Sequence, residues 1–130
     1  LNLVCADISH QWERIKPQIE KIKASGQVSW EPQDILDSCN FGESRLYIGR
    51  DDPGSWLILK VMSDRYSGEK YLFVWLAWGK DGFDSARRHI PDVEEIARDQ
   101  GIALIKMESP RRGFERLGWQ PTMIEYERRL

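Results

Sequence analysis

Residues 71–119 read YLFVWLAWGKDGFDSARRHIPDVEEIARDQGIALIKMESPRRGFERLGW, and the order of signals within them decides the fold class. Tyr71 to Trp78 is an unbroken apolar and aromatic run. It is too short for an ordinary helix and rich in β-formers, which predicts a strand buried on both faces. The turn Gly79-Lys80-Asp81-Gly82 follows, and Asp84 or Ser85 is placed to cap a helix that runs to about Gln100. Gly101 supplies the left-handed residue that ends many helices, and Ile102 to Met107 resumes an apolar run. Strand, helix, strand predicts two parallel neighbours with the crossover helix on one face of the sheet. The loops at the carboxyl ends of such strands are where open α/β sheets hold ligands.

Working back from this stretch, Ser9 to about Ala24 carries Trp12, Ile15, Ile19 and Ile22 at helical spacing, with Pro17 inside it as an expected bend or late start. Gly26 ends it, and residues 27–29 form a link. Trp30-Glu31-Pro32-Gln33 then begins a short helix whose apolar side is Ile35 and Leu36, ending near residues 40–42. Arg45 to Arg50 alternates as a strand does, Asp51-Asp52-Pro53-Gly54 is a turn, and Ser55 to Met62 returns as the second arm of a hairpin. A further turn around residues 66–70 delivers the chain to the central strand.

The 130 residues suit one domain, 1–130, and show no repeat, linker or low-complexity stretch. A net charge of −2 gives no global attraction to nucleic acid or acidic membrane. The basic residues Arg111, Arg112, Arg116, Arg128 and Arg129 are interleaved with Glu108, Glu115, Glu125 and Glu127, which argues further against a nucleic-acid role. Cys5 and Cys39 lack metal-ligand spacing, and with His10 and His89 they make no zinc set, so no metal site is expected. No membrane span or export signal is visible, which places the chain in a reducing cytoplasm. Leu1 stands where a start methionine would, which leaves room for residues before it. His89 has Asp84 and Asp92 as neighbours in sequence, but a lone histidine on a charged helix is ordinarily solvated.

The closing segment Phe114-Glu115-Arg116-Leu117-Gly118-Trp119, after a strand, glycine turn, helix and strand, resembles the second half of the GNAT N-acetyltransferase fold. By order of elements the resemblance covers about residues 43–130; by motif it covers the last dozen or so. It implies an α/β (α+β) fold, a mixed central sheet with helices on both faces, and a final strand from about Thr122 to Arg128. It also implies an acetyl-CoA site at the end of the central strand, at Trp78, Gly79, Lys80 and Gly82, with backbone N–H groups at the helix start cradling a pyrophosphate.

Three positions depart from the family pattern. Of the Gln/Arg-x-x-Gly-x-Gly/Ala signature only Gly82 matches; Gly79 holds the first slot and Asp84 the last. Phe114 stands where many active relatives have a tyrosine that protonates the departing thiolate, and Pro91 is expected to kink or restart the helix. The chain is also similar to short GNAT-like proteins of bacteriophages and prophages that have an eroded cofactor loop. That likeness implies a binding or virion-associated role, in the host cytoplasm or the virion, with a protein partner. The residues leave open whether the chain transfers acetyl groups to an amine, serves only as such a binding module, or is an unrelated small α/β domain that binds a protein through exposed tryptophans. Trp12, Trp56 and Trp75 are expected in the core, and Trp78, at the exit of the central strand, is a candidate pocket wall.

Overall fold

The computed structural model describes residues 1–26, 28–80, 82–109 and 113–130, with the side chains of residues 83–86 outside that description. Among the described residues, nine elements follow in order: β1 (Leu3–Ala6), α1 (Ile8–Ser25), α2 (Pro32–Asn40), β2 (Ser44–Gly49), β3 (Trp56–Ser63), β4 (Lys70–Trp78), α3 (Phe83–Asp99), β5 (Ile105–Met107) and a 3-10 turn, η1 (Phe114–Leu117). The strands make one sheet in the order β1-β2-β3-β4-β5. The first four are antiparallel, and the α3 crossover sets β5 parallel to β4.

Two apolar clusters lie on the two sides of this sheet. On one side α3 brings Val93, Ile96 and Ala97 onto Tyr47, Leu57, Leu59 and Leu72. On the other, α1 and α2 bring Ile8, Ile15, Ile19 and Ile35 onto Leu46, Trp56, Ile58 and Leu76. The helices therefore cover both faces, as expected of this fold class.

α1 begins where Asp7 accepts a hydrogen bond from the Ser9 amide at 2.9 Å. It runs unbroken through Pro17, and α3 runs unbroken through Pro91, so neither proline restarts its helix. Both prolines are on the solvent side, where water can serve the carbonyl one turn earlier that has lost its N–H partner. α2 opens with the Asp34 carboxylate accepting from the Glu31 amide at 2.8 Å.

Four expectations are corrected. β1 is a strand that the four residues LVCA do not announce, because a short edge strand lacks a readable alternation. β5 starts at Ile105; Ile102 is instead buried against α3 and its N–H returns to Ala97 O, closing the helix. Residues 122–128 form no strand and are exposed throughout. Finally, β4 is not buried along its length: Leu72 and Leu76 are, while Ala77 is exposed.

A bulge explains the last point. Leu59 faces Val74 and Ile58 faces Leu76, so Trp75 is an extra residue on β4 with no counterpart on β3. The extra residue reverses the parity of the strand. Leu72 and Val74 point to the α3 side, whereas Leu76 and Trp78 point to the α1/α2 side. The continuous apolar run of β4 is two half-strands with opposite inward faces.

Candidate functional site

The bulge coincides with a second break. β4 pairs with β5 at Leu72, Phe73 and Val74, and that pairing ends at Val74↔Met107. From Trp75 to Trp78, β4 has β3 on one side and, among the described residues, no strand on the other. No ladder among the described residues takes up its backbone polar groups on that edge, and the bulge breaks the regular pairing on the other. Ala77 shares its face with buried Leu57, opposite which it stands, yet is itself exposed. A methyl group there leaves room above the sheet.

At the end of this one-sided stretch the chain turns through Gly79 to Gly82, whose N–H donates to Gly79 O at 3.1 Å. Gly82 is the N-cap of α3, with φ 57° and ψ −111°. This corrects the expected cap at Asp84 or Ser85. A cap without a side chain leaves the first-turn N–H groups of the helix without the oxygen that serine or aspartate would offer from that position. Those groups and the helix dipole favour an anion. Lys80 is exposed beside the turn, and the Lys21 ammonium lies 6.0 Å from the centre of the Trp78 ring. Asp81 and the side chain of Asp84 lie outside the described residues, as do Arg111 and Arg112.

The structure thus brings Trp78, Gly79, Lys80 and Gly82 together as a continuous corner between β4 and α3. Trp78 is half-buried and packs on the α1/α2 cluster together with Trp12, Trp30 and Trp75. Trp56 is fully buried, whereas Trp12 and Trp75 are only partly so. Phe114 lies half-buried in η1, between the left-handed residues Gly113 and Gly118. Two shallow depressions, of about 270 Å³ and 330 Å³, lie elsewhere, along β2 to β4 and beside the start of α1.

Residues that sequence reasoning set apart also meet in the interior. Ser55 and His89 are both buried, and the Ser55 Oγ lies 2.9 Å from His89 Nε2. Ser55 gives its proton to Asp52 O at 2.8 Å, so it accepts from Nε2–H, and the neutral His89 carries its proton there. Nδ1 then faces Asp92 Oδ2 at 3.9 Å, and both atoms are buried without a hydrogen-bond partner. The expected solvation of His89 is overturned because one turn of α3 sits directly on the β2–β3 turn, where Arg88 also meets Asp52 at 3.5 Å. Gly49 makes this packing feasible: a Cβ there would lie 2.5 Å from Asp52 O.

Burial pushes the His89 pKa below its ordinary value of 6.5, with Asp92 opposing the shift. Below pH 6.5 the unfolded chain binds a proton that the folded chain refuses, so stability present above that pH is lost as pH falls toward the depressed value. The melting temperature of the protein should therefore fall between pH 7.5 and pH 5, and fall less in a His89→Gln variant, read by circular dichroism. Cys39 offers a second check. Burial pushes its pKa up to about 11, whereas Cys5 is exposed. At pH 8, iodoacetamide should label Cys5 first and Cys39 much more slowly, as intact-mass and peptide mapping will show.

No family model matches this chain, and no curated protein matches it. Solved structures do. A ribosomal-protein-alanine N-acetyltransferase from Brucella melitensis biovar Abortus 2308 superposes with a TM-score of 0.71 at 11% identity, covering 98% of this chain and 97% of the other. An acetyltransferase, so predicted, from Clostridium acetobutylicum, solved with acetyl-CoA, gives 0.69 at 11% identity over 97% and 95%. An aminoglycoside acetyltransferase from an uncultured soil metagenomic sample gives 0.61 at 9% over 99% and 97%. At these identities the likeness is one of fold, and the chain has the GNAT fold. No helix among the described residues is long and apolar enough to cross a membrane.

Proposed function

We propose that the chain binds acetyl-CoA at the corner between β4 and α3 and presents the thioester to an amine beside the one-sided stretch of β4. The observation that carries this reading is the coincidence of three features within residues 74–82. The β5 pairing stops, a bulge re-aims β4, and α3 starts on a glycine with no capping side chain. The residues present fit an anionic, extended ligand. The α3 amides and Lys80 would hold the pyrophosphate, and the free edge of Trp75 to Trp78 would offer N–H and C=O groups to the amide-bearing arm. One structure of the same fold was solved with acetyl-CoA, which supports this choice of ligand.

Acetyl-CoA supplies an activated acyl carbon. What this chain supplies is position. An amine held against that carbon forms the C–N bond, the C–S bond breaks, and the departing sulfur needs a proton. Phe114 has none to give, so transfer relies on solvent at that step and should be slow relative to binding. The carrying test is calorimetric titration with acetyl-CoA, with desulfo-CoA and ADP as competitors. Micromolar binding is expected, and neither heat nor thermal shift at millimolar ligand would overturn the proposal. With binding established, thiol release from acetyl-CoA over a panel of primary amines reads the transfer. A Phe114→Tyr variant should release thiol about ten-fold faster than the wild type, the low end of what general acid catalysis contributes.

A further inference from the structure

We propose that the acceptor amine is an aromatic amino acid, acetylated on its α-nitrogen, whose carboxylate meets Lys60 and whose ring rests on Phe73. This inference rests on the acetyl-CoA reading above and names the amine for it. Along β4, Tyr71 and Phe73 alternate with Leu72 and Val74, so they point to the α1/α2 side of the sheet, where Trp75 also packs. All of these rings are half-buried, and Tyr71 and Phe73 belong to neither apolar cluster. The helices therefore leave this part of the face incompletely roofed.

Two cations bracket the middle ring. Lys60 on β3 and Lys106 on β5 both stand opposite Phe73. The Lys60 ammonium leans one way, to 5.5 Å from the centre of the Trp75 ring, and the Lys106 ammonium leans the other, to 4.4 Å from the centre of the Tyr71 ring. Each is steadied by the ring beneath it, and Phe73 lies between them. Glu43 is 4.0 Å from Lys60, and an exposed pair of that length contributes little, which leaves the ammonium available to a second carboxylate.

The bracket also has a direction. β5 takes the edge of β4 up to Val74, so an arm held along Trp75 to Trp78 can extend no further than Trp75. Lys60 is the cation at that point, and Lys106 is the farther one. An α-amino acid suits this order because its amine and carboxylate share one carbon. A carboxylate on Lys60 sets the nitrogen at the Trp75 end, and the side chain then runs toward Phe73, where a ring can stack. The α-nitrogen, as free base, forms the C–N bond, the C–S bond breaks, and the proton shed by nitrogen goes to solvent, which returns one to sulfur. A polyamine, or the distal ammonium of lysine, would meet Lys106 with like charge.

Thiol release from acetyl-CoA, compared over chosen amines, tests the proposal. L-Phenylalanine should give a kcat/KM about ten-fold above phenethylamine, which lacks the carboxylate, and above L-alanine, which lacks the ring, with spermidine the poorest. Lys60→Met keeps a chain over Trp75 without the charge, and should bring the ratio of phenylalanine to phenethylamine near one by raising KM for the amino acid. A merely structural Lys60 would lower both amines alike and overturn the assignment. Lys106→Glu, at an exposed position, should raise kcat/KM for L-lysine about ten-fold. Calorimetric titration of L-phenylalanine into the protein, alone and saturated with CoA, reads binding without turnover and should give heat that phenethylamine does not. Equal kcat/KM for phenylalanine and phenethylamine, a preference for spermidine, or no transfer at all overturns the proposal while acetyl-CoA binding stands. Failure to bind acetyl-CoA removes the reading beneath it and the proposal together.

Discussion

Replacing Trp56 with alanine is expected to remove about 3–5 kcal/mol of folding stability, the usual cost of deleting a buried large aromatic. Trp56 is 0% exposed and sits opposite Ile48 on β2 and Trp78 on β4, in the middle of three strands. Its indole N–H donates to Gln18 Oε1 at 2.6 Å and ties the sheet to α1. Alanine would leave a cavity beneath Ile15 and Ile19, with no small shift of the helix able to fill it. Since domains of this size hold only about 5–15 kcal/mol in total, the variant should unfold at a much lower urea concentration, and a less stable parent would not fold at all. Trp56→Phe separates the terms: it keeps most of the ring volume, loses the Gln18 bond, and should cost about 1–2 kcal/mol. Far-UV circular dichroism is the right probe, because five other tryptophans would blur a fluorescence signal. Trp12→Ala, at a partly exposed site, should cost clearly less than Trp56→Ala.

That contrast shows how far the sequence could be read. The strand-helix-strand core was legible because its three signals are local: an apolar run, a glycine turn and a glycine stop. So were α1, α2 and the β2–β3 hairpin, each announced by period, proline or turn residues. What escaped depended on distant partners. β1 exists because Leu3 to Ala6 can pair with Leu46 to Gly49, and nothing in four residues says so. Residues 122–128, a strand by the family resemblance, pair with no strand among the described residues, because a strand needs a partner that local sequence does not name. The bulge at Trp75 was invisible, since an unbroken apolar run reads the same with or without a reversal of faces.

The candidate site was legible in part for the same reason. Trp78, Gly79, Lys80 and Gly82 are consecutive enough that any strand-turn-helix must group them. That Gly82, not Asp84 or Ser85, caps α3 could be read only from its backbone angles. The Ser55–His89–Asp92 cluster joins a hairpin to a helix 34 residues away; sequence order set Asp92 near His89 but gave no hint of Ser55 or of their burial. Its burial marks it as a latch between the β2–β3 turn and α3, the helix on which the site is built. The segment Phe114 to Trp119, which carried the resemblance to the GNAT fold, holds a 3-10 turn, Phe114–Leu117, between the left-handed Gly113 and Gly118. That geometry serves the fold.

Gly82→Glu is the substitution expected to affect ligand binding most, raising the acetyl-CoA dissociation constant at least a hundred-fold. Two effects act together. At φ 57° and ψ −111° a residue with a Cβ is strained by about 1–3 kcal/mol, and the turn can relieve this only by re-aiming the first amides of α3. The new carboxylate would also cap those amides from within the chain and repel a pyrophosphate, replacing an attraction with a like charge. Gly82→Ala and Gly82→Lys apportion the two effects. Alanine carries the strain without the charge and should weaken binding about ten-fold. Lysine carries the strain with the opposite charge and should bind at least as well as alanine. If all three variants lost binding equally while keeping their melting temperatures within a few degrees, backbone geometry alone would govern the site. If none lost it, the ligand would be held elsewhere and the corner between β4 and α3 would have only a structural role. Raising salt from 50 to 500 mM should weaken wild-type binding more than it weakens binding by the glutamate variant, because screening removes an attraction in one and a repulsion in the other.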